Sequence, residues 1–129
     1  MVMTPAVVQA IEELQASFPD AVVATTEDED GGAQVRLDVV DPGTPYRQRE
    51  TWVGFHLGFQ YPYADVYPHY VRADLTRVDD QPLIPPFHRD HPSPWGLAVM
   101  ISRRSNKLDP ATATAATKLM SVLDWMAAQ

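Results

Sequence analysis

Near the start of the chain, apolar residues recur at helical spacing. Val8, Ile11, Leu14 or Gln15, and Phe18 follow Thr4-Pro5, where a threonine hydroxyl can cap free backbone N–H groups and proline is tolerated at the first helical position. Pro19-Asp20 stops the run, so a helix is predicted over roughly residues 4–18. The period then drops to two. Residues 21–26 are rich in Val and Thr, and Ala33, Val35, Leu37 and Val39 alternate with Gln34, Arg36 and Asp38, which predicts a hairpin closed at the Gly31-Gly32 tip. After the turn composition of residues 41–45, Val53, Phe55, Leu57 and Phe59 alternate with Trp52, Gly54, His56 and Gly58, giving a third strand with an apolar core face. Residues 69–75 supply a fourth, with Val71, Ala73 and Leu75 on one side. From residue 79 to 109 periodicity lapses among Pro82, Pro85, Pro86, Pro92 and Pro94, and only residues 97–101 are apolar enough to be buried, so a long ordered loop is predicted there. Asp109-Pro110 is a second cap-and-proline start, followed by Ala113, Ala116, Leu119 or Met120, Leu123 and Met126 at helical spacing, with Trp125 expected to pin this helix to the sheet. The order predicts an α+β domain: N-terminal helix, four-stranded antiparallel meander, long proline-rich loop and C-terminal helix, with the helices over one face of the sheet.

Composition narrows the possible chemistry. A chain of 129 residues, 45% hydrophobic and 21% charged, reads as one domain over residues 1–129, large enough to bury a core without covalent staples. It has no cysteine, so disulfides, thiolate metal sites and a cysteine nucleophile are all excluded. Seventeen acidic against ten basic residues give a net charge of −7, which argues against nucleic acid as a partner. The acidic run Glu27-Asp28-Glu29-Asp30 reads as a solvated hairpin tip, and Arg103, Arg104 and Lys107 form the basic cluster. Neither a signal-peptide pattern nor an apolar run of ~18 residues is present, so a cytoplasmic protein with no membrane partner is expected.

One stretch carries a resemblance. Pro42-Gly43-Thr44-Pro45-Tyr46, the alternating strand at 52–57, Phe59-Gln60-Tyr61-Pro62, and Pro68 before His69-Tyr70-Val71 follow in the order found in the ubiquitin-conjugating (UBC-like) fold. Farther on, His91-Pro92-Ser93 resembles that family's His-Pro-Asn, Gly96 the glycine before its active-site segment, and Leu108-Asp109-Pro110 its Trp-x-Pro. The family carries its modifier as a thioester on a cysteine about three residues after the glycine. Here Val99 holds that place, between Ala98 and Met100, and Ser93 stands where the family has the asparagine thought to polarise the thioester carbonyl. The resemblance therefore implies a variant that is not an enzyme, similar to bacterial relatives of the conjugating enzymes. It would be an adaptor needing no cofactor, with a protein partner: a ubiquitin-like modifier, an activating enzyme or a conjugating enzyme. An alternative is a conjugating enzyme whose cysteine was replaced near Val99. A third is a hydrolase using His88 or His91 on an unrelated α+β scaffold.

Several residues are candidates for binding. Arg103, Arg104, Ser105 and Asn106 form a polar run in which two guanidiniums could take carboxylates in a bidentate way; alternatively, one arginine pairs with Asp109 or Asp124 and the rest cap the helix. Tyr61, Tyr63, Tyr67, Tyr70, Trp52 and Trp95 group around the sheet edge and loop, where packing and binding are both open to them. Tyr61-Pro62 and His91-Pro92 are read as loop-structuring. The His88-Arg89-Asp90-His91 run is short of the three or four ligands that a zinc site needs, so no metal is expected.

Overall fold

The computed structural model describes residues 2–129. Thr4 begins the first element as its sequence predicts: its hydroxyl accepts from the Val7 N–H at 3.2 Å, Pro5 takes the first turn, and α1 runs Pro5–Ser17 with Val7, Ala10 and Leu14 buried. Two strands follow, β1 (Val22–Glu27) and β2 (Ala33–Val40), paired antiparallel. Their turn is organised by Asp28, whose Oδ1 accepts from the N–H groups of Asp30 (2.7 Å) and Gly32 (2.8 Å). Its other oxygen meets His56 Nε2 at 2.6 Å, so one carboxylate of the acidic run ties the tip to the third strand.

Strand β3 (Thr51–Leu57) has Val53, Phe55 and Leu57 fully or almost fully buried. It ends there; Phe59, expected on the same core face, is 56% exposed. Strand β4 (His69–Val71) is shorter than the sequence predicts, though Leu75 beyond it is buried. The larger correction falls in the stretch expected to be a loop. Residues 87–101 form a second hairpin, β5 (Phe87–Ser93) and β6 (Gly96–Ile101), and β6 inserts beside β4, so the sheet has six antiparallel strands in the order β1-β2-β3-β4-β6-β5. Strand β5 escaped the alternation test because it is an edge. Only Phe87 anchors it in the core, Pro92 is tolerated where one side has no partner, and the register slips between His88 and His91, with Asp90 at φ +54°.

The last helix also starts later than Asp109-Pro110. Asp109 caps only a local turn, accepting from the Ala111 N–H at 3.0 Å, and the helix proper, α2 (Ala115–Ala127), opens on a capping box in which the Thr114 hydroxyl accepts from the Thr117 N–H at 3.1 Å. Its buried face, Ala115, Ala116, Leu119, Val122 and Met126, joins the buried face of α1 and the inward residues of β2, β3, β4 and β6 in one core. The Tyr46 hydroxyl donates to the Met126 carbonyl at 3.0 Å and Trp125 packs on Phe87 at 5.0 Å, fixing the end of α2 to the sheet. Among the described residues no helix is long and apolar enough to cross a membrane.

One core position breaks the apolar rule. His69 is fully buried against Phe55, 5.1 Å away, and neither ring nitrogen has a partner. Burial, helped by the nearby Lys118 charge and opposed by Asp65, pushes its pKa down to about 3, so the ring is neutral.

Candidate functional site

With both helices on one side, the other face of the sheet is left to its own side chains. Cross-strand register sets Arg36, Gly54, Tyr70, Met100 and His88 in one row across β2, β3, β4, β6 and β5. The turn between β5 and β6 then adds a residue from above. Ser93 Oγ accepts from the Trp95 N–H at 3.1 Å and donates to the Gly96 carbonyl at 2.6 Å, while Gly96 takes φ +96°, a conformation that side chains rarely adopt. This turn folds the Trp95 indole down onto Gly54. A Cβ at position 54 would stand 2.4 Å from the indole ring, so the lone glycine of β3 is the seat that admits it.

Around that seat the rings form a continuous ladder. The Arg36 guanidinium, held by Asp38 through two bonds of 3.0 Å, lies 4.5 Å over Trp52. Trp52 meets Trp95 at 5.7 Å, Trp95 meets Tyr70 at 6.3 Å, and Tyr70 meets His91 at 5.9 Å, all tilted. Every member is half-buried, so each ring keeps an open side. Leu97, 60% exposed, and Val39, 44% exposed, border a shallow trough of about 410 Å³ beside Trp52 and Trp95, rimmed by Glu50 and the Arg72–Asp74 ion pair. The trough thus has aromatic rings at its centre and paired charges at its edge.

The other predicted residues are scattered. Val99 and Ala98 are completely buried in β6 and Met100 is partly buried, so no side chain at these three positions stands free in solvent. Ser93 has its hydroxyl committed to the turn, and His91 Nδ1 lies 2.7 Å from the Pro92 carbonyl. No carboxylate is hydrogen-bonded to His88 or His91, and among the described residues no group of three or more His, Cys, Asp or Glu side chains could hold a metal ion. Tyr61 is buried, its hydroxyl accepting from the Ala115 N–H at 2.9 Å at the start of α2, with Pro62 beside it; Tyr63 is 77% exposed and outside the ladder. Arg103 and Arg104 pair with neither Asp109 nor Asp124. They stack instead on Trp125 (4.6 Å) and Tyr67 (4.5 Å). Asn106 is exposed next to them, whereas Ser105 is turned inward onto Asp65.

Sequence reasoning therefore found Trp95 and Trp52 but missed how they are joined. The available signal was Gly54, a glycine in the middle of the clearest strand, where one mostly marks close approach of another group. Also missed was a half-buried polar knot. Lys118 Nζ lies 3.3 Å from both Asp65 oxygens and donates to the Arg103 carbonyl and Ser105 Oγ, each at 2.9 Å. Burial alone would raise the Asp65 pKa; the hydrogen bonds from Ser105 and the Lys118 charge outweigh it and hold the carboxyl below its ordinary value. Compared with known proteins, the chain matches no family model, no curated protein and no solved structure.

Proposed function

We propose that this chain is a non-catalytic, UBC-like binding protein that engages a ubiquitin-like modifier, or a partner enzyme of the same conjugation pathway, through the helix-free face of its sheet. The observation that carries the reading is the Arg36–Trp52–Trp95–Tyr70–His91 ladder. Half-exposed tryptophan, tyrosine and arginine side chains bind strongly at interfaces because they cover large areas while losing little conformational freedom, and here their neighbours already hold them in place.

The replaced-cysteine alternative has less support. A thiol at position 99 would inherit a fully buried site in β6, out of reach of another protein's thioester. The hydrolase reading lacks a nucleophile or orienting carboxylate hydrogen-bonded to either histidine.

The test uses the purified chain with the ubiquitin-like protein and activating enzyme encoded nearest its gene. Calorimetric titration should show the modifier or the enzyme binding the wild type, with Trp95→Ala weakening the complex at least tenfold, or about 1.4 kcal/mol. Incubation with ATP and both proteins should leave the chain without a covalent adduct. Equal affinity for Trp95→Ala, or an adduct on the chain, would contradict the proposal.

A further inference from the structure

A second surface, sharing no residue with the ladder, lies where the chain leaves β6. We infer that Arg103 and Arg104 form a docking site for an acidic peptide, an extended Asp/Glu-rich segment whose carboxylates meet the two guanidiniums.

The strap that carries them is pinned on its inner side. The Ser102 N–H donates to the Pro86 carbonyl at 3.0 Å, the Arg103 carbonyl accepts from Lys118 Nζ, and Ser105 gives both its N–H (2.6 Å) and its hydroxyl (2.8 Å) to Asp65. This knot is largely out of solvent, with the Lys118 and Asp65 side chains 13% and 18% exposed. The backbone is thus fixed before any partner arrives.

The two side chains are fixed as well, and their charges are unanswered. Arg103 lies over Trp125 and Arg104 over Tyr67, and among the described residues neither guanidinium donates a hydrogen bond, which leaves their N–H groups open to an acceptor from outside. Among the described residues no carboxylate lies within ion-pair distance of either, although acidic residues outnumber basic ones by 17 to 10. Four of the six other arginines, Arg36, Arg47, Arg72 and Arg77, are paired with Asp38, Asp80, Asp74 and Asp79, and a fifth, Arg89, donates to the Leu75 and Ala73 carbonyls. A fork that finds no intramolecular carboxylate is complementary to one supplied from outside. Exposed Lys107 and Asn106 extend the same polar strip. A polyphosphate chain fits less well, because the net charge of −7 repels it at range and two forks make no continuous basic stripe.

Anisotropy of a fluorescein-labelled hexaglutamate peptide, titrated with the full chain, tests the inference. Saturable binding is expected at about 50 mM salt and should weaken at about 300 mM, because the contacts are charge pairs at a solvent-facing surface. The Arg103→Gln/Arg104→Gln variant should lose at least tenfold in affinity with an unchanged circular-dichroism melt, while Arg49→Gln, a charge change elsewhere, should lose less than twofold. Failure of hexaglutamate to saturate, equal binding of a six-residue oligothymidylate, or an equal loss in Arg49→Gln would overturn it. Since Trp95→Ala leaves this site intact, its failure and that of the ladder are read separately.

Discussion

His69 sits where an aliphatic residue would pack, and its burial has a thermodynamic consequence. In the unfolded chain its imidazole titrates near 6.5, whereas in the fold it does so at about 3. Between those values the unfolded state binds the extra proton, so stability is full well above pH 6.5 and falls as pH drops through it, by at most about 1.4 kcal/mol per pH unit. Asp28, Asp65, Asp74 and Asp79 are held below the ordinary carboxylate value, and their contributions fade only below about pH 4, at lower pH than the first losses from His69. Urea midpoints should therefore fall between pH 7 and pH 5 in the wild type. His69→Leu, which removes two unpartnered buried nitrogens, should flatten that dependence and raise the midpoint at pH 5. Identical pH profiles for the two proteins would refute this account. Gly54 sets the second residue-scale prediction. Gly54→Ala puts a methyl group into the indole of Trp95 and should cost about 1–3 kcal/mol, with a red shift of tryptophan emission as the ring is lifted toward water. Unchanged emission would mean that the ring does not rest there.

At the scale of elements, two caps compete for the start of the last helix. Thr114→Ala removes the hydroxyl that receives the Thr117 N–H and should cost about 1 kcal/mol of stability, whereas Asp109→Ala, acting on a turn outside the helix, should cost clearly less. Thermal melts of the two variants decide it, and the reverse order would restore the earlier start. Helix α1 and the β1–β2 hairpin were legible because periodicity, cap and turn all agreed at Thr4-Pro5 and at the Gly31-Gly32 tip. Strand β5 was not, because an edge strand with one buried anchor, an inserted proline and a slipped register has no alternation to detect. The start of α2 was missed because Asp109-Pro110 satisfies the local rule for a cap as well as Thr114 does, and the contact from the Tyr61 hydroxyl to the Ala115 N–H adds to the Thr114 capping box in favour of the later start. Trp95 was visible as a residue, but its place on Gly54 depends on a turn and a strand pairing about forty positions apart in the chain.

For the whole molecule, the division of the sheet is decisive. One face is sealed by α1 and α2 and contains Val99 at zero exposure; the other carries half-open aromatic rings, with free arginine forks on a separate strap. A cysteine engineered at position 99 should accordingly resist a thiol reagent in the native protein and react only after denaturant is added. Rapid native labelling would return the conjugating-enzyme reading to consideration. The claim at the centre concerns the open face, and the three tryptophans report on it, since Trp52 and Trp95 belong to the ladder while Trp125 lies on α2. The direct measurement follows the three indole N–H resonances during titration with the purified modifier. The account predicts that Trp52 and Trp95 shift to saturation with a common dissociation constant. Binding that leaves both indoles unmoved would contradict it.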